Sequence, residues 1–211
     1  TANARSRLEI DQSSFTNVAV NEVHPRELDQ LVGCGAVHQG CVLEAEPAPV
    51  KSMEEIAGQP IVLVLDQVTD PHNVGAIMRS AVAMGIETLI TTSRHSPQET
   101  GVLAKSASGA LDMIAHVIVR NLAETLDELS ANGYQTVGLD SEGEAPLSSS
   151  ITGKKVALVL GAEGKGLRQK TRATCETLAR VDLPGAIKSL NVSNAAVLSL
   201  YIVREALASS E

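Results

Sequence analysis

The sequence predicts an α/β protein built on an open, mostly parallel β-sheet with helices on both faces. From Pro60 onward, short apolar runs alternate with segments whose apolar residues recur at helical spacing. Two of the runs, residues 61–66 (IVLVLD) and 155–160 (KVALVL), are almost continuously apolar. Such runs are typical of strands that are buried on both faces of a parallel sheet.

The other elements of this region follow from the same two patterns and from the turn residues between them. Val74, Ile77 and Met78 recur at helical spacing, and Gly133 is a typical stop just beyond a helix. We predict strands over residues 61–66, 87–91, 113–119, 134–139, 155–160 and 176–181, and helices over residues 73–84, 98–107, 122–131, 167–174 and 194–207.

The first 46 residues are predicted to form a smaller α/β piece. Apolar and polar residues alternate enough over residues 17–23 to indicate a strand, and residues 37–44 indicate a second one. Between them, residues 25–31 predict a short helix that begins at Pro25 and ends before Gly33.

Proline marks the boundary between this piece and the parallel sheet. Pro47 and Pro49 lie among polar residues, a composition typical of a linker. The sequence therefore predicts an N-terminal domain over residues 1–46, a linker over residues 47–59 and a larger domain over residues 60–211. Because the first domain lacks a recognisable first element, we expect it to be the remainder of a longer domain.

Composition argues against several classes of protein. Hydrophobic residues make up 44% of the 211, enough for a packed core. No apolar run approaches the roughly 18 residues of a membrane span, and no secretory leader is recognisable. The three cysteines form no CxxC pair, which argues against a disulfide framework or a zinc site. We therefore expect a cytoplasmic protein with reduced thiols and no bound metal.

The charge of the chain bears on its partners. A net charge of −8 is unfavourable for nucleic-acid binding, although the field near a cleft depends on nearby residues. Aromatic residues make up 1% of the chain, so stacking on aromatic rings is disfavoured as the main way of reading bases. Six basic side chains within 19 residues predict either a local basic patch or only a solvated surface: Lys154, Lys155, Lys165, Arg168, Lys170 and Arg172.

Three polar or glycine-rich segments follow predicted strands, at the edge of the sheet where ligands of parallel sheets bind. The first segment, residues 66–79, contains a turn at Asp70. Asn73 suits the N-cap of the following helix, and Arg79 comes six residues later. Taken alone, these residues would be a capping Asn and a surface Arg.

The other two segments add glycines and small polar side chains. Residues 160–167 (LGAEGKGL) place three glycines around Glu163, in an order that fits neither the phosphate loop nor the dinucleotide fingerprint. In the third segment, Ser189, Asn191 and Ser193 crowd a predicted helix N-terminus. One capping residue explains Ser193 or Asn194, but not Ser189 and Asn191 as well. Together the three segments predict a ligand cleft.

These segments resemble the three motifs of the SpoU/TrmH family of SPOUT methyltransferases. Residues 73–85, 158–167 and 183–196 match the motifs in the family's order, and SLNVS is the most specific piece. Residues 17–46 resemble the end of the family's L30e-like substrate-binding domain. The likeness is greatest to the branch that methylates a guanosine 2′-hydroxyl in 23S ribosomal RNA.

The resemblance implies a fold, a cofactor and partners. The fold is an α/β sheet whose C-terminal part forms a deep trefoil knot, and the chain pairs as a homodimer whose subunits share the active site. S-adenosylmethionine is the methyl donor, ribosomal RNA is the substrate, and neither a metal nor a membrane takes part.

The resemblance also implies roles for individual residues. The catalytic and structural constellation comprises Arg79, Asn73, Glu163, Ser189 and Asn191. The backbone of Gly161, Val181 and Leu190 cradles the cofactor, with Leu160, Leu183 and Ser193 as neighbours. One departure is that many members have Ile-Pro-Met before the glycine, where this chain has residues 181–185 (VDLPG), so the adenine pocket is expected to differ locally.

A ribose 2′-hydroxyl is a poor nucleophile, so its reaction needs a base or a group that stabilises the developing alkoxide. We expect Arg79 to bridge the hydroxyl and an RNA phosphate and to stabilise the oxyanion. Glu163 would orient Arg79, and Ser189 and Asn191 would fix the loop geometry. His72, beside Asn73, is a second candidate for the base or else a turn residue.

Three alternatives stay open on the sequence alone. One is a tRNA ribose methyltransferase of the same family, although the L30e-like residues favour ribosomal RNA. Another is an RNA-binding or ribosome-assembly protein that kept the fold without catalysis, which the intact motif residues disfavour. The third is a nucleotide-dependent oxidoreductase, which would need an early GxGxxG that this sequence lacks.

Overall fold

A computed structural model describes residues 1–10, 18–33, 36–46, 56 and 58–209 of the chain. The chain divides into two compact units, Thr1–Pro47 and Ala48–Glu211. None of the helices in the described part of the chain is long and apolar enough to cross a lipid bilayer.

The first unit contains two helices, α1 (Ala2–Arg7) and α2 (Pro25–Val32). The prediction of α2 is confirmed: Pro25 lies in the first turn, and the Glu27 carboxylate accepts a hydrogen bond from the backbone N–H of His24 at 2.9 Å. Helix α1 was not predicted.

The two strands predicted in this unit are wrong over the described residues. Residues 18–23 and 36–46 contain no β-strand, and Asn17 lies outside the described residues. In the second segment, Gln39 and Gly40 take positive φ angles of 52° and 85°, and the Gly40 N–H donates to His38 Nδ1 at 3.0 Å. Such a tight turn interrupts the extended backbone that a strand requires.

The second unit is a seven-stranded sheet in which every strand pair is parallel, as the apolar runs predict. The strand order is β3-β2-β1-β6-β4-β7-β5. The strands are β1 (Ile61–Asp66), β2 (Thr88–Thr92), β3 (Ala115–Val119), β4 (Gln135–Leu139), β5 (Ala145–Pro146), β6 (Val156–Gly161) and β7 (Thr177–Arg180). Because all strands run the same way, their carboxyl ends share one edge of the sheet.

Helices cover both faces of this sheet. They are α3 (Pro71–Ala83), α4 (Gly101–Ala107), α5 (Leu122–Ala131), α6 (Leu147–Ser150), α7 (Gln169–Thr174) and α8 (Val192–Ala208), with a 3₁₀ turn at Ala110–Asp112. The six long strands and five main helices lie within a few residues of their predicted bounds. Three elements of this unit were not predicted, namely β5, α6 and the 3₁₀ turn, because they are too short to show a sequence period.

Alternate residues of the central strands point into two separate cores. Leu63 and Leu65 pack with α3 and α8, whereas Val62 and Val64 pack with α5. Helix α3 approaches α4 closely at Gly75, where an added Cβ would lie 2.5 Å from Ser106 Cβ. Both faces of β1 are therefore buried away from water, which explains its continuous apolar run.

The start of α3 differs from its prediction. Asp70, not Asn73, is the N-cap, and its carboxylate accepts from the N–H of His72 at 3.0 Å. Pro71 then occupies the first helical position, where its missing N–H costs nothing. As a result, Asn73 lies inside the first turn and its side chain is available for another contact.

The predicted linker over residues 47–59 lies outside the described residues, apart from Ile56, Gly58 and Gln59. Ile56 is buried among the side chains that face α5. The Tyr134 hydroxyl donates to the carbonyl of Gln59 at 2.7 Å. The end of this segment is thus packed against the sheet of the second unit.

Candidate active site

Three distant segments meet at the side chain of Asn191, at the carboxyl edge of the sheet. Its Nδ2 donates to Asn73 Oδ1 at 3.1 Å and to Glu163 Oε2 at 3.3 Å. Asn73 lies 118 positions earlier in the chain, and Glu163 lies 28 positions earlier. The structure thereby brings together one residue from each of the three segments singled out in the sequence.

Asn191 also begins helix α8. Its Oδ1 accepts from the Ser193 N–H at 2.9 Å and from the Ser193 hydroxyl at 2.6 Å. The cap is therefore Asn191, and the prediction that Ser193 or Asn194 caps this helix is wrong. Because both ends of the amide are engaged, its orientation is fixed. We call Asn73, Glu163, Asn191 and Ser193 the polar cluster.

The glycine-rich loop after β6 is shaped by backbone contacts. An added Cβ on Gly161 would lie 2.1 Å from the carbonyl carbon of Gly166, so only glycine fits there. Ala162 and Gly166 exchange two backbone hydrogen bonds, at 3.2 and 2.8 Å. Gly164 and Gly166 take φ angles of 74° and 64°, which L side chains rarely adopt. This tight loop holds Glu163 at the strand end.

The residues expected to cradle the cofactor lie at the ends of β6 and β7 and at the start of α8. Leu160 is buried in the core, and Val181 packs against that core while keeping part of its surface exposed. Leu183 is also partly exposed, as is Leu190. The sequence did not suggest Leu139, which ends the strand β4 between them.

The backbone beside these side chains has free donors. The N–H groups of residues 185–190 make no hydrogen bond within the described part of the chain. The Lys188 ammonium donates to the Leu183 carbonyl at 2.9 Å and so closes the loop. Apolar side chains beside free backbone N–H groups suit a nucleoside ring with polar edges, and these residues therefore fit the adenosine part of S-adenosylmethionine.

In the described part of the chain, the side chains of Arg79, Ser189 and His72 make no hydrogen bond with the polar cluster. Arg79 is exposed on α3, about 9 Å along the helix axis from Asn73. Among the described residues, neither Arg79 nor Ser189 has a side-chain hydrogen bond or ion pair. Glu163 Oε2 accepts from Asn191 instead, and among the described residues Glu163 forms no ion pair with Arg79. His72 Nδ1 lies 3.1 Å from the Ser106 hydroxyl in α4.

An ion pair between a buried carboxylate and a half-buried arginine, next to the site, escaped the sequence analysis. The Asp66 carboxylate, with a fully buried side chain, accepts from the Arg168 backbone N–H at 2.9 Å and from its Nε at 2.6 Å. Burial, together with the Asp66 charge, raises the pKa of the Cys175 thiol to about 12. Cys175 is therefore an inert thiol at neutral pH. An acidic residue that ends a buried strand is the sequence pattern that marks such a site.

The basic residues between Lys154 and Arg172 do not form one patch. Lys155 precedes β6 and lies 5.3 Å from the centre of the Tyr134 ring, at the opposite edge of the sheet from Arg168. Arg172 is paired with Asp140 at 3.2 Å and with Glu142. The six-residue strand β6 lies between Lys155 and Arg168 and spans about 20 Å. These basic residues are therefore close in sequence but far apart in space.

Comparison with known proteins identifies the family. The model of the SpoU rRNA Methylase family matches residues 60–201. The chain belongs to this family. Over 95% of its length it is 38% identical to the 23S rRNA (guanosine-2′-O-)-methyltransferase RlmB of Ralstonia nicotianae, of which it covers 83%. The RlmB of Pseudomonas aeruginosa is 39% identical over 87% of this chain and 76% of its own length.

Solved structures of family members share the fold. The SpoU methyltransferase AviRb of Streptomyces viridochromogenes, in complex with AdoMet, gives a TM-score of 0.68 at 28% identity. The match covers 76% of this chain and 66% of AviRb. An AdoMet-bound rRNA methyltransferase of Sinorhizobium meliloti gives 0.67 at 25% identity, covering 75% of this chain and 62% of that one. The sheet with its flanking helices is thus the SpoU methyltransferase fold.

Proposed function

We propose that this protein transfers a methyl group from S-adenosylmethionine to the ribose 2′-hydroxyl of a guanosine in 23S ribosomal RNA. The observation that carries the proposal is the polar cluster, in which Asn191 joins Asn73 and Glu163 at the carboxyl edge of the sheet. The curated relatives supply the substrate class, because both named above are 23S rRNA guanosine-2′-O-methyltransferases. The proposal includes a cytoplasmic location, which a ribosomal RNA substrate supports.

The methyl donor supplies an electrophilic carbon on a sulfonium sulfur, so the protein has to bind it, orient it and prepare the hydroxyl. Residues 185–190 offer backbone N–H groups to the adenosine, and Val181, Leu183 and Leu190 offer apolar contacts. Gly161 lets the loop after β6 fold back tightly, and Leu160 supports that loop from the core. The Ser193 hydroxyl donates to the Asn191 amide oxygen and so helps to fix the start of α8.

When the donor is bound, the hydroxyl oxygen would bond to its methyl carbon as the carbon–sulfur bond breaks and S-adenosylhomocysteine is left, and the hydroxyl proton would pass to solvent water. Guanidinium groups stay protonated at neutral pH, so an arginine stabilises the oxyanion rather than taking the proton. Arg79 is the candidate for this role, since it is exposed and has no partner among the described residues. A preorganised cation beside a developing negative charge lowers the barrier by several kcal/mol.

Glu163 and Asn191 fix the positions of the loops, and neither residue positions Arg79. Their contact ties the loop after β6 to the start of α8, and Asn73 ties both to α3. Ser189 is exposed in the loop before α8, which supports a substrate contact for its hydroxyl. The chain's own residues therefore define where the ribose and the donor sit, and Arg79 completes the site from the second subunit of the proposed homodimer.

The proposal includes the C-terminal trefoil knot, the homodimer and the L30e-like character of the first unit. Two apolar side chains, one before α8 and one on it, are open to solvent and support the dimer. Ile187 is 78% exposed and Tyr201 on α8 is 54% exposed. The dimer test is whether such a side chain becomes buried between two subunits. The Tyr201→Asp variant should then sediment as a monomer, whereas wild type sediments as a dimer.

The test of the proposed function is to map methyl groups. The protein is incubated with unmodified 23S rRNA, or with total tRNA, and with methyl-labelled S-adenosylmethionine. Label should enter 23S rRNA at one guanosine and make that linkage resistant to alkali. Label in tRNA only would overturn the substrate, and no label in either RNA despite S-adenosylhomocysteine binding would overturn the activity.

The role of Arg79 is tested by Arg79→Ala and Arg79→Lys. Both variants should bind S-adenosylhomocysteine with wild-type affinity, measured by calorimetry. Methyl transfer should fall by at least about 100-fold in Arg79→Ala. Substantial activity in both variants would remove Arg79 from the mechanism, and NAD binding in the same calorimeter would favour an oxidoreductase instead.

A further inference from the structure

A second concave surface lies at the carboxyl edge of the sheet, beyond β2 and β3. It encloses about 610 Å³. We call it the basic pocket, and it is lined by Thr92, Ser93, Arg94, His95, Arg120 and Arg168. Three of these six residues are arginines, and none is acidic.

The charges of the basic pocket are unbalanced. Within the described residues, Arg94 and Arg120 make no hydrogen bond or ion pair, and both are exposed. Arg168 is paired through its backbone N–H and Nε with the buried Asp66. Three guanidinium groups against one carboxylate leave two positive charges, in a chain whose net charge is −8. Such a local excess attracts an anion.

The pocket is held by contacts between its loops. The Ser93 N–H donates to the Val119 carbonyl at 2.9 Å, which links the loop carrying Arg94 to the residue before Arg120. Thr92, only 3% exposed, has a hydroxyl without a hydrogen-bond partner in the described part of the chain. The two backbone segments that carry Arg94 and Arg120 are therefore held together before a ligand binds, while their exposed side chains can adjust to it.

The pocket and the polar cluster are neighbours across the edge of the sheet. The loop after β6 contributes Glu163 to the cluster and Arg168 to the pocket. Strand β1 alone separates β2 from β6, so the ends of those two strands lie about 10 Å apart. A single RNA strand can occupy both places at once.

From this geometry we infer that the basic pocket binds backbone phosphates of the RNA next to the nucleotide that is methylated. Guanidinium forks match phosphate oxygens in pairs, and phosphate contacts set the register of a nucleic acid without reading its bases. The scarcity of aromatic residues is consistent with such backbone recognition. The inference rests on the proposed function, in which RNA is the substrate.

The experiment compares Arg94→Ala, Arg120→Ala and the double variant with wild type. The control is Lys154→Ala, which removes one exposed positive charge at the opposite edge of the sheet, just before β6. Binding of unmodified 23S rRNA is measured over a range of salt concentrations. Methyl-transfer kinetics, S-adenosylhomocysteine affinity and thermal unfolding are measured on the same proteins.

Each arginine variant should bind RNA on the order of 10-fold more weakly at low salt. The slope of log K against log salt should become shallower by about 0.7–1 per arginine. KM for RNA should rise while kcat at saturating RNA, S-adenosylhomocysteine affinity and melting temperature stay at wild-type values. Lys154→Ala should match wild type in every measurement.

Three outcomes would overturn the inference. The double variant binds RNA with wild-type affinity and salt slope, or Lys154→Ala weakens RNA binding as much as the arginine variants do. In the third, inorganic phosphate or guanosine monophosphate at micromolar concentration displaces the RNA, so that the pocket takes a free anion. The RNA-binding arm does not need methyl transfer, so failure of the proposed activity is recognised separately.

Discussion

The polar cluster and the basic pocket occupy the same edge of the sheet but are built in different ways. In the cluster, Asn191 forms hydrogen bonds with Asn73, Glu163 and Ser193. In the pocket, Arg94 and Arg120 make no hydrogen bond or ion pair within the described residues. The polar cluster is fixed by hydrogen bonds of the Asn191 amide, whereas the basic pocket presents positive charges that have no partner among the described residues.

This difference separates two tasks. Atoms that must be held to a fraction of an ångström are held by short hydrogen bonds between distant segments. A group that captures a phosphate backbone needs charge and reach, and long cationic side chains supply both. The loop after β6 joins the two regions, since it carries both Glu163 and Arg168. Mutations can therefore damage both regions, or either one alone.

The largest effect is expected from Gly161→Ala, which damages both regions. The new methyl group would lie 2.1 Å from the Gly166 carbonyl carbon, so the backbone of the loop has to move. Calorimetry should show at least 100-fold weaker S-adenosylhomocysteine binding, and RNA binding should weaken as well. The control is Gly101→Ala, where the added methyl meets nothing within 4 Å. Equal cofactor affinity in the two variants would show that the loop does not form the cradle.

Asn191 variants affect the cluster alone and rank next. Asn191→Ala loses the amide bridge and the N-cap, so methyl transfer should fall about 100-fold and the free energy of unfolding by about 1 kcal/mol. Asn191→Asp keeps a capping oxygen but sets a carboxylate against Glu163 in place of the Nδ2 donor, so it should recover only part of the lost stability and none of the activity. Urea unfolding and methyl-transfer rates separate the two roles. In the control Asn194→Ala both should stay near wild type, and active Asn191→Asp would show that capping is the only role.

Asp66→Asn affects the pocket alone. It replaces a buried carboxylate that accepts two hydrogen bonds from Arg168, which should lower the free energy of unfolding by about 1–3 kcal/mol. RNA binding should weaken while S-adenosylhomocysteine binding is kept. Asp70→Asn, at an N-cap where both residue types serve equally, should change stability by less than about 0.5 kcal/mol. Loss of cofactor affinity in Asp66→Asn would contradict the separation of the two regions.

The smallest effect is a pH dependence near the pocket loop. Burial lowers the pKa of His116 below 6.5, and Glu99, 3.5 Å from its Nδ1, opposes part of that shift. The unfolded chain then binds more protons below pH 6.5, so stability falls as the pH drops through this window. The slope is at most about 1.4 kcal/mol per pH unit. His116→Gln should reduce the slope of the unfolding free energy against pH, measured by urea unfolding between pH 7 and 5. An unchanged slope would show that other groups cause the pH dependence.

Elements with long, clear periods could be predicted from the sequence. Helix α5 has its predicted bounds, and the apolar runs of β1 and β6 are central strands buried on both faces. The predicted strands of the first unit failed, because alternation shows only that a segment can be a strand. Without a pairing partner, and with positive φ angles at Gln39 and Gly40, the described residues stay irregular.

For the candidate site, the sequence predicted which residues belong to the site better than it predicted which of them are in contact. Asn73, Glu163 and Asn191 do meet, but Glu163 contacts Asn191 rather than Arg79. The roles of the predicted site residues in catalysis and cofactor binding stay predictions. Neither Arg94 nor Arg120 was suggested, because single arginines after strands look like ordinary surface residues.

The sequence by itself determined the alternation of strands and helices, the two-sided burial of the sheet and the three segments that carry the site. These depend on local periods and on residue types, which a linear pattern records. Only the tertiary structure decided that Asn191 is the meeting point, that Asp66 holds Arg168, and that the basic residues 154–172 separate. Strand order and the crossing of loops set these distances, and neither depends on separation along the chain.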